Sequence, residues 1–127
     1  MGIIAKEAEE FTMRILISDQ ALNRLKRDKY IKQNKDKYNK IIFMIAQSKL
    51  NYEKEKNGDF WVSPKGGKSE RVAWHFEVDI ANKIIKLFID DILYHEGRNY
   101  IENWDINAIN RKIILRNYGP WENYNKL

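Results

Sequence analysis

Residues 70–95 read ERVAWHFEVDIANKIIKLFIDDILYH, and the pattern of this stretch decides the fold. Val72, Trp74, Phe76 and Val78 alternate with Arg71, Ala73, His75, Glu77 and Asp79, a period of two that predicts a strand with one buried face. Ile80 to Lys83 interrupts the alternation, with Asn82 the residue best suited to a left-handed turn conformation. A second β-rich run, Ile84 to Tyr94, follows at hairpin distance. Two adjacent antiparallel strands are predicted, and the rest of the chain is expected to cover one face of this hairpin.

Upstream, Arg14-Ile15-Leu16-Ile17 has the β-branched content of an interior strand. Ser18 and Asp19 then supply side-chain oxygens where a helix should start, and Ala21, Leu22 and Leu25 follow at helical spacing. The apolar pattern lapses around Gln33 to Asp36 and restarts with Tyr38, Ile41, Ile42, Ile45 and Ala46. This predicts a helical hairpin, its second helix ending between Leu50 and Asn57 with Gly58 as a stop. Asp59 to Ser63 is a short aromatic and β-branched run. Pro64-Lys65-Gly66-Gly67-Lys68 forbids regular structure and gives a basic loop without the spacing of a phosphate-cradling P-loop.

Downstream, Gly97 permits a change of direction after the second long strand. Lys112 to Leu115 is a candidate edge strand, Gly119-Pro120 ends it, and residues from Trp121 read as a loosely packed terminus. The expected fold is α+β: a first strand, a helical hairpin and then an antiparallel meander, in one domain over residues 13–127 with a variable C-terminal tail. Residues 1–12, with three acidic side chains and no apolar core, are expected to be an extension and not a secretory signal.

A chain of 127 residues that is 43% hydrophobic and 32% charged is sufficient for one core. No apolar run approaches the roughly 20 residues of a membrane span, so a soluble, cytoplasmic protein is expected, with no membrane partner. Cysteine is absent and there are two histidines, His75 and His95; neither a metal centre nor a cofactor is expected. The net charge of +5 favours an anionic partner, although a lysine-rich composition also serves solubility alone.

RILISDQALNRLKR at residues 14–27, ERVAWHFEVD at 70–79, IIKLFID at 84–90 and YHEGRNY at 94–100 together resemble the RelE/ParE superfamily of bacterial toxins. The resemblance covers residues 13–104 and lies in the order of elements. It implies a strand, a helical hairpin and an antiparallel sheet, and, for ribonuclease members, a metal-independent mRNA endoribonuclease of a toxin–antitoxin pair. RNA, on or off the ribosome, and a cognate antitoxin would be its partners. Arg71 on the strand after the helices, and Tyr94, His95, Arg98 and Tyr100 near the end of the next, fall at the places of the family's catalytic patch. Gly97 and the spacing of His95 from Tyr100 depart from its commoner ending.

Metal-free RNA cleavage needs the 2′-hydroxyl deprotonated, charge on the phosphorane stabilised and the 5′-oxygen protonated. In this reading His95 is acid or base, with Glu96 an alternative base. Arg71 and Arg98 hold phosphate oxygens, and Tyr94 or Tyr100 stacks or donates a proton. Arg24, Lys26, Arg27, Lys65 and Lys68 would track the RNA backbone. Each has an ordinary alternative: Arg71 as the cross-strand partner of Asp90 or Asp91, His75 as a solvated or hydrogen-bonded surface side chain, the helix cations as a solvated face. A second reading is a RelE/ParE-fold protein, or an unrelated small basic protein, that binds a protein target or nucleic acid without cutting it.

Overall fold

The computed structural model describes residues 11–48, 50–57, 59–65, 69–94 and 117–121. Strand β1 (Thr12–Ser18) leads into helices α1 (Asp19–Arg27), α2 (Lys29–Gln33) and α3 (Lys35–Gln47). Strands β2 (Glu55–Asn57), β3 (Phe60–Ser63), β4 (Glu70–Asp79), β5 (Ile84–Tyr94) and β6 (Tyr118–Pro120) follow. The sheet order is β2-β3-β4-β5-β1-β6. The α+β class agrees with expectation, a strand precedes the helices among the described residues, and β2 to β5 form an antiparallel meander. The sheet as a whole is mixed, because β1 pairs parallel to β5, from Thr12 opposite Ile84 to Ile17 opposite Ile89.

Alternation in β4 places Val72, Trp74, Phe76 and Val78 toward the helices, opposite Ile92, Ile89, Leu87 and Ile85 of β5. The β5 sequence cannot keep this parity by itself, since Ile85, Leu87 and Ile89 would be followed by Asp91. A bulge solves the problem: Trp74 faces Ile89 and Ala73 faces Asp91, so Asp90 has no register partner and Ile92 returns to the core. Ala21, Leu25, Ile31, Tyr38, Ile42 and Ile45 of the helices close over these side chains. Burying this many apolar groups, at roughly 1.5–3 kcal/mol each, is the main driving force for the layer.

The helical part differs from the hairpin expected. Asp28 breaks the first predicted helix, taking an extended backbone and accepting from the amides of Tyr30 and Ile31 to cap α2. The second break falls at Asn34, within the predicted lapse. Helix α3 ends at Gln47, earlier than expected and without a glycine. Leu50 adopts φ 72° and its amide bonds the Ile45 carbonyl, while its side chain is buried in the core. Similarly Lys83, not Asn82, takes the left-handed conformation of the β4–β5 turn, at φ 53°.

At the other edge, the Gly119-Pro120 segment is part of β6, antiparallel to β1 from Leu16 opposite Pro120 to Ser18 opposite Tyr118. Proline is tolerated there because it lies on the outermost strand. Trp121 is not loosely held: its indole N–H donates to Asn39 Oδ1 at 2.9 Å, and its ring packs against the helix-side core. Residues 1–10 and the candidate strand 112–115 lie outside the described residues. Among those described, no helix is long and apolar enough to cross a membrane.

Candidate functional site

The bulge in β5 sends two adjacent carboxylates to two places. Asp91 receives Arg24 Nε at 2.9 Å and Gln20 Nε2 at 3.3 Å, tying α1 to the sheet. Asp90, 0% exposed, lies within 2.9 and 2.8 Å of His75 Nδ1 through its two oxygens, and accepts from the Tyr118 hydroxyl. Its backbone carbonyl accepts from Ser18 Oγ at 2.8 Å, and that same Ser18 oxygen caps α1 by accepting from the Ala21 amide. His75 sits on the sheet face opposite the helices, by parity with Trp74. Its ring stacks on Phe88 with centroids 4.6 Å apart and planes 5° apart. Tyr118 meets both rings edge-on.

Arg71 is a correction to the catalytic patch read from the sequence. It is 3% exposed, with Nη2 3.2 Å from Glu55 Oε2 and Nε donating to the Pro64 carbonyl at 3.3 Å. Nη2 counts as an ion-pair contact but makes no hydrogen bond; the contact is close but off the donor direction, so the attraction is chiefly coulombic. A guanidinium so enclosed has no edge to offer a phosphate. Its acid is Glu55, from the unanticipated strand β2, and neither Asp90 nor Asp91.

Tyr94 and Arg71 are also not brought together. Tyr94 is opposite Glu70 in the ladder, the residue before Arg71, so the two side chains leave opposite faces. Tyr94 stacks on Tyr30 of α2, with centroids 3.5 Å apart. His95, Arg98 and Tyr100 lie outside the described residues, as does Lys68. Of the proposed RNA contacts, Lys26, Arg27 and Lys65 are exposed, whereas Arg24 is engaged by Asp91.

The cationic surface extends beyond those residues. Residues 19–47 contain eight Lys and Arg against three Asp, a difference of +5 that equals the net charge of the whole chain. Lys26, Arg27, Lys29, Lys32, Lys37 and Lys40 are all exposed. Lys37 makes a long contact, 3.4 Å, with Glu70, where a cleft of about 500 Å³ opens between α3, Tyr52 and Pro64. Close by, burial lowers the Lys54 pKa, and Lys54 and Lys56 lie 5.0 and 4.6 Å from the Trp61 ring centre.

The residues that sequence reasoning missed are Asp90 and Tyr118 as partners of His75. The available signal was the pair Asp90-Asp91 inside an otherwise apolar strand, since buried carboxylates need partners. The identity of those partners depended on the bulge and on β6, which no local pattern announces. Comparison with protein-family models gives no match, and comparison with curated proteins gives none.

Proposed function

We propose that the protein binds RNA through the cationic face of α1–α3 and acts in the cytoplasm as a metal-independent endoribonuclease toxin, restrained by a cognate antitoxin. The observation that carries the RNA reading is the placing of the chain's entire net positive charge on one layer, much of it as exposed lysine and arginine. Such a surface neutralises phosphates and releases counterions on binding. The aromatic side chain of Tyr52 beside Lys37 and Lys40 gives an unpaired base a surface to stack on. The toxin reading adds the RelE/ParE-like order of a leading strand, helices and an antiparallel meander. It proceeds without Arg71 as a phosphate ligand.

The burial of Arg71 favours a second reading, in which a protein of this fold binds RNA or a protein target and does not cut it. One experiment separates the two. A fluorescent single-stranded RNA is titrated with the protein in EDTA, and its integrity and ends are then assayed. If about four phosphates are neutralised, affinity falls by about 50-fold between 50 and 200 mM salt. Cleavage to 2′,3′-cyclic phosphate ends supports the toxin. Salt-dependent binding of intact RNA supports the second reading, and affinity that ignores salt rules out an RNA-binding helical face.

A further inference from the structure

The sheet face opposite the helices carries a side-chain arrangement that the cationic layer does not explain. His75 is held on several sides. Asp90 grips Nδ1, Phe88 lies flat beneath the ring, and Tyr118 meets its edge. A carboxylate accepts and does not donate, so Nδ1 carries the proton, and in the neutral tautomer that this bond selects the lone pair is at Nε2. No described residue bonds Nε2. Among the described residues the only enclosed side-chain nitrogen or oxygen without a hydrogen bond is Arg71 Nη2, so Nε2 is open to solvent, in keeping with a His75 side chain that is 20% exposed.

A tether for β6 requires only the bond from Tyr118 to Asp90. The imidazole adds an oriented nitrogen facing outward, and the row beside it supplies cations. Register places Leu16, Phe88 and His75 in one row across β1, β5 and β4, and Arg14, Lys86 and Glu77 in the next row on the same face. Two such rows are about 7 Å apart along the strands, and β1 lies two strands, about 10 Å, from β4. The Arg14 and His75 backbones are therefore about 12 Å apart, a gap that the long arginine side chain and the imidazole reach across toward one phosphodiester and its sugar. Arg14 is exposed and forms no ion pair with a described residue, whereas Lys86 is opposite Glu77.

We propose that this face is the cleavage site: His75 is the proton-transferring catalytic residue, Asp90 its positioning residue and Arg14 the contact to the scissile phosphate of a single-stranded RNA. This rests on the toxin reading and goes beyond it, because the cut segment lies on the sheet face opposite the cationic helices and the RNA passes round a sheet edge from one face to the other. In the step, Nε2 takes the proton of a 2′-hydroxyl as the 2′-oxygen bonds phosphorus and the bond from phosphorus to the 5′-oxygen breaks. The departing 5′-oxygen takes a proton from water, and the imidazolium returns its own to the solvent. Atoms and charge balance with no other reactant, leaving a 2′,3′-cyclic phosphate and a 5′-hydroxyl. Phe88 and Tyr118 provide aromatic surface for the flanking base.

The test is single-turnover cleavage of a short fluorescent single-stranded RNA in EDTA by the full chain, with RNA affinity and circular dichroism measured alongside. His75→Ala is expected to lower the cleavage rate by about 10² or more at unchanged RNA affinity, with partial recovery on adding free imidazole, a response that a purely structural histidine does not give. Arg14→Ala, at an exposed position, is expected to raise the half-saturating protein concentration for cleavage by about tenfold with the fold intact; it decides the matter if His75→Ala does not fold. Wild-type cleavage that survives both substitutions overturns the site and leaves the toxin reading standing. A wild type that binds the RNA but leaves it whole overturns both.

Discussion

Replacing Glu55 with alanine, and separately Arg71 with methionine, tests whether Arg71 is a structural cation, and the two substitutions should not cost the same. Glu55→Ala leaves a guanidinium that is 4% exposed without its anion, and keeps only its bond to the Pro64 carbonyl. Removing one partner of a fully buried pair costs about 3–5 kcal/mol. Here the Glu55 side chain is 37% exposed, so water reaches one end of the pair and the expected loss is about 2–3 kcal/mol. Arg71→Met preserves the apolar stem and removes one charged partner of Glu55, whose side chain is 37% exposed and already meets water. The net loss is one long hydrogen bond and a screened attraction, about 1 kcal/mol. Adding Arg71→Met to Glu55→Ala should therefore restore stability. Urea unfolding at neutral pH reads all three, provided the slope with denaturant is constant. An Arg71→Met protein with a wild-type midpoint that no longer cuts RNA would return Arg71 to the chemistry.

Three further measurements probe the frame around the site. Ser63→Ala removes the acceptor 3.0 Å from the Trp74 indole N–H, with both residues fully buried, and should lower unfolding stability by about 1–3 kcal/mol; a change under about 0.5 kcal/mol would mean that another acceptor takes the proton. Lys83→Gly relieves a left-handed backbone at φ 53° and should raise stability by about 0.5–1 kcal/mol, read as a higher melting temperature. The Asn82 side-chain amide, and after it the Asn82 backbone amide, lower the Asp79 pKa below 3.8. A depressed carboxyl pKa contributes stability that is complete above the unfolded value and is lost as pH falls through the folded one. Asn82→Ala should accordingly flatten the acid side of the stability profile, and an unchanged slope there would exclude this turn as its source.

What was legible in the sequence follows from what is local. The period of two in β4 and the 3.6-residue spacing of Tyr38, Ile42 and Ile45 depend on neighbours along the chain, and both elements form at the expected positions, α3 stopping short of its expected end. The break at Asp28 carries no local signal, because a capping aspartate and a solvated one look alike until the amides of Tyr30 and Ile31 are placed. The left-handed positions fell on Leu50 and Lys83 because tertiary demands outweighed local preference; for Leu50 the gain is burial. The site was less legible than the fold. Arg71 was assigned to an outward face by parity, and the parity is correct, but β2 supplies Glu55 over it. His75 gained its meaning from a one-residue slip in the partner strand and from a strand 28 positions beyond Asp90.

The parallel pairing of β1 with β5 has a consequence for how the molecule is made. Ser18 and Asp90, joined by a hydrogen bond in the finished sheet, are 72 positions apart in the chain. At synthesis rates of about 5–20 residues per second, β1 waits about 4–14 s before β5 exists. During that interval Ile15 and Ile17, which end in the core or against it, have no ladder to join. The three helices can form at once and shade one side of the strand, but its backbone edges remain open to other nascent chains. A translation pause anywhere before residue 84 would lengthen that exposure, and a fragment released there would lack the strand that joins the N-terminal segment to the meander.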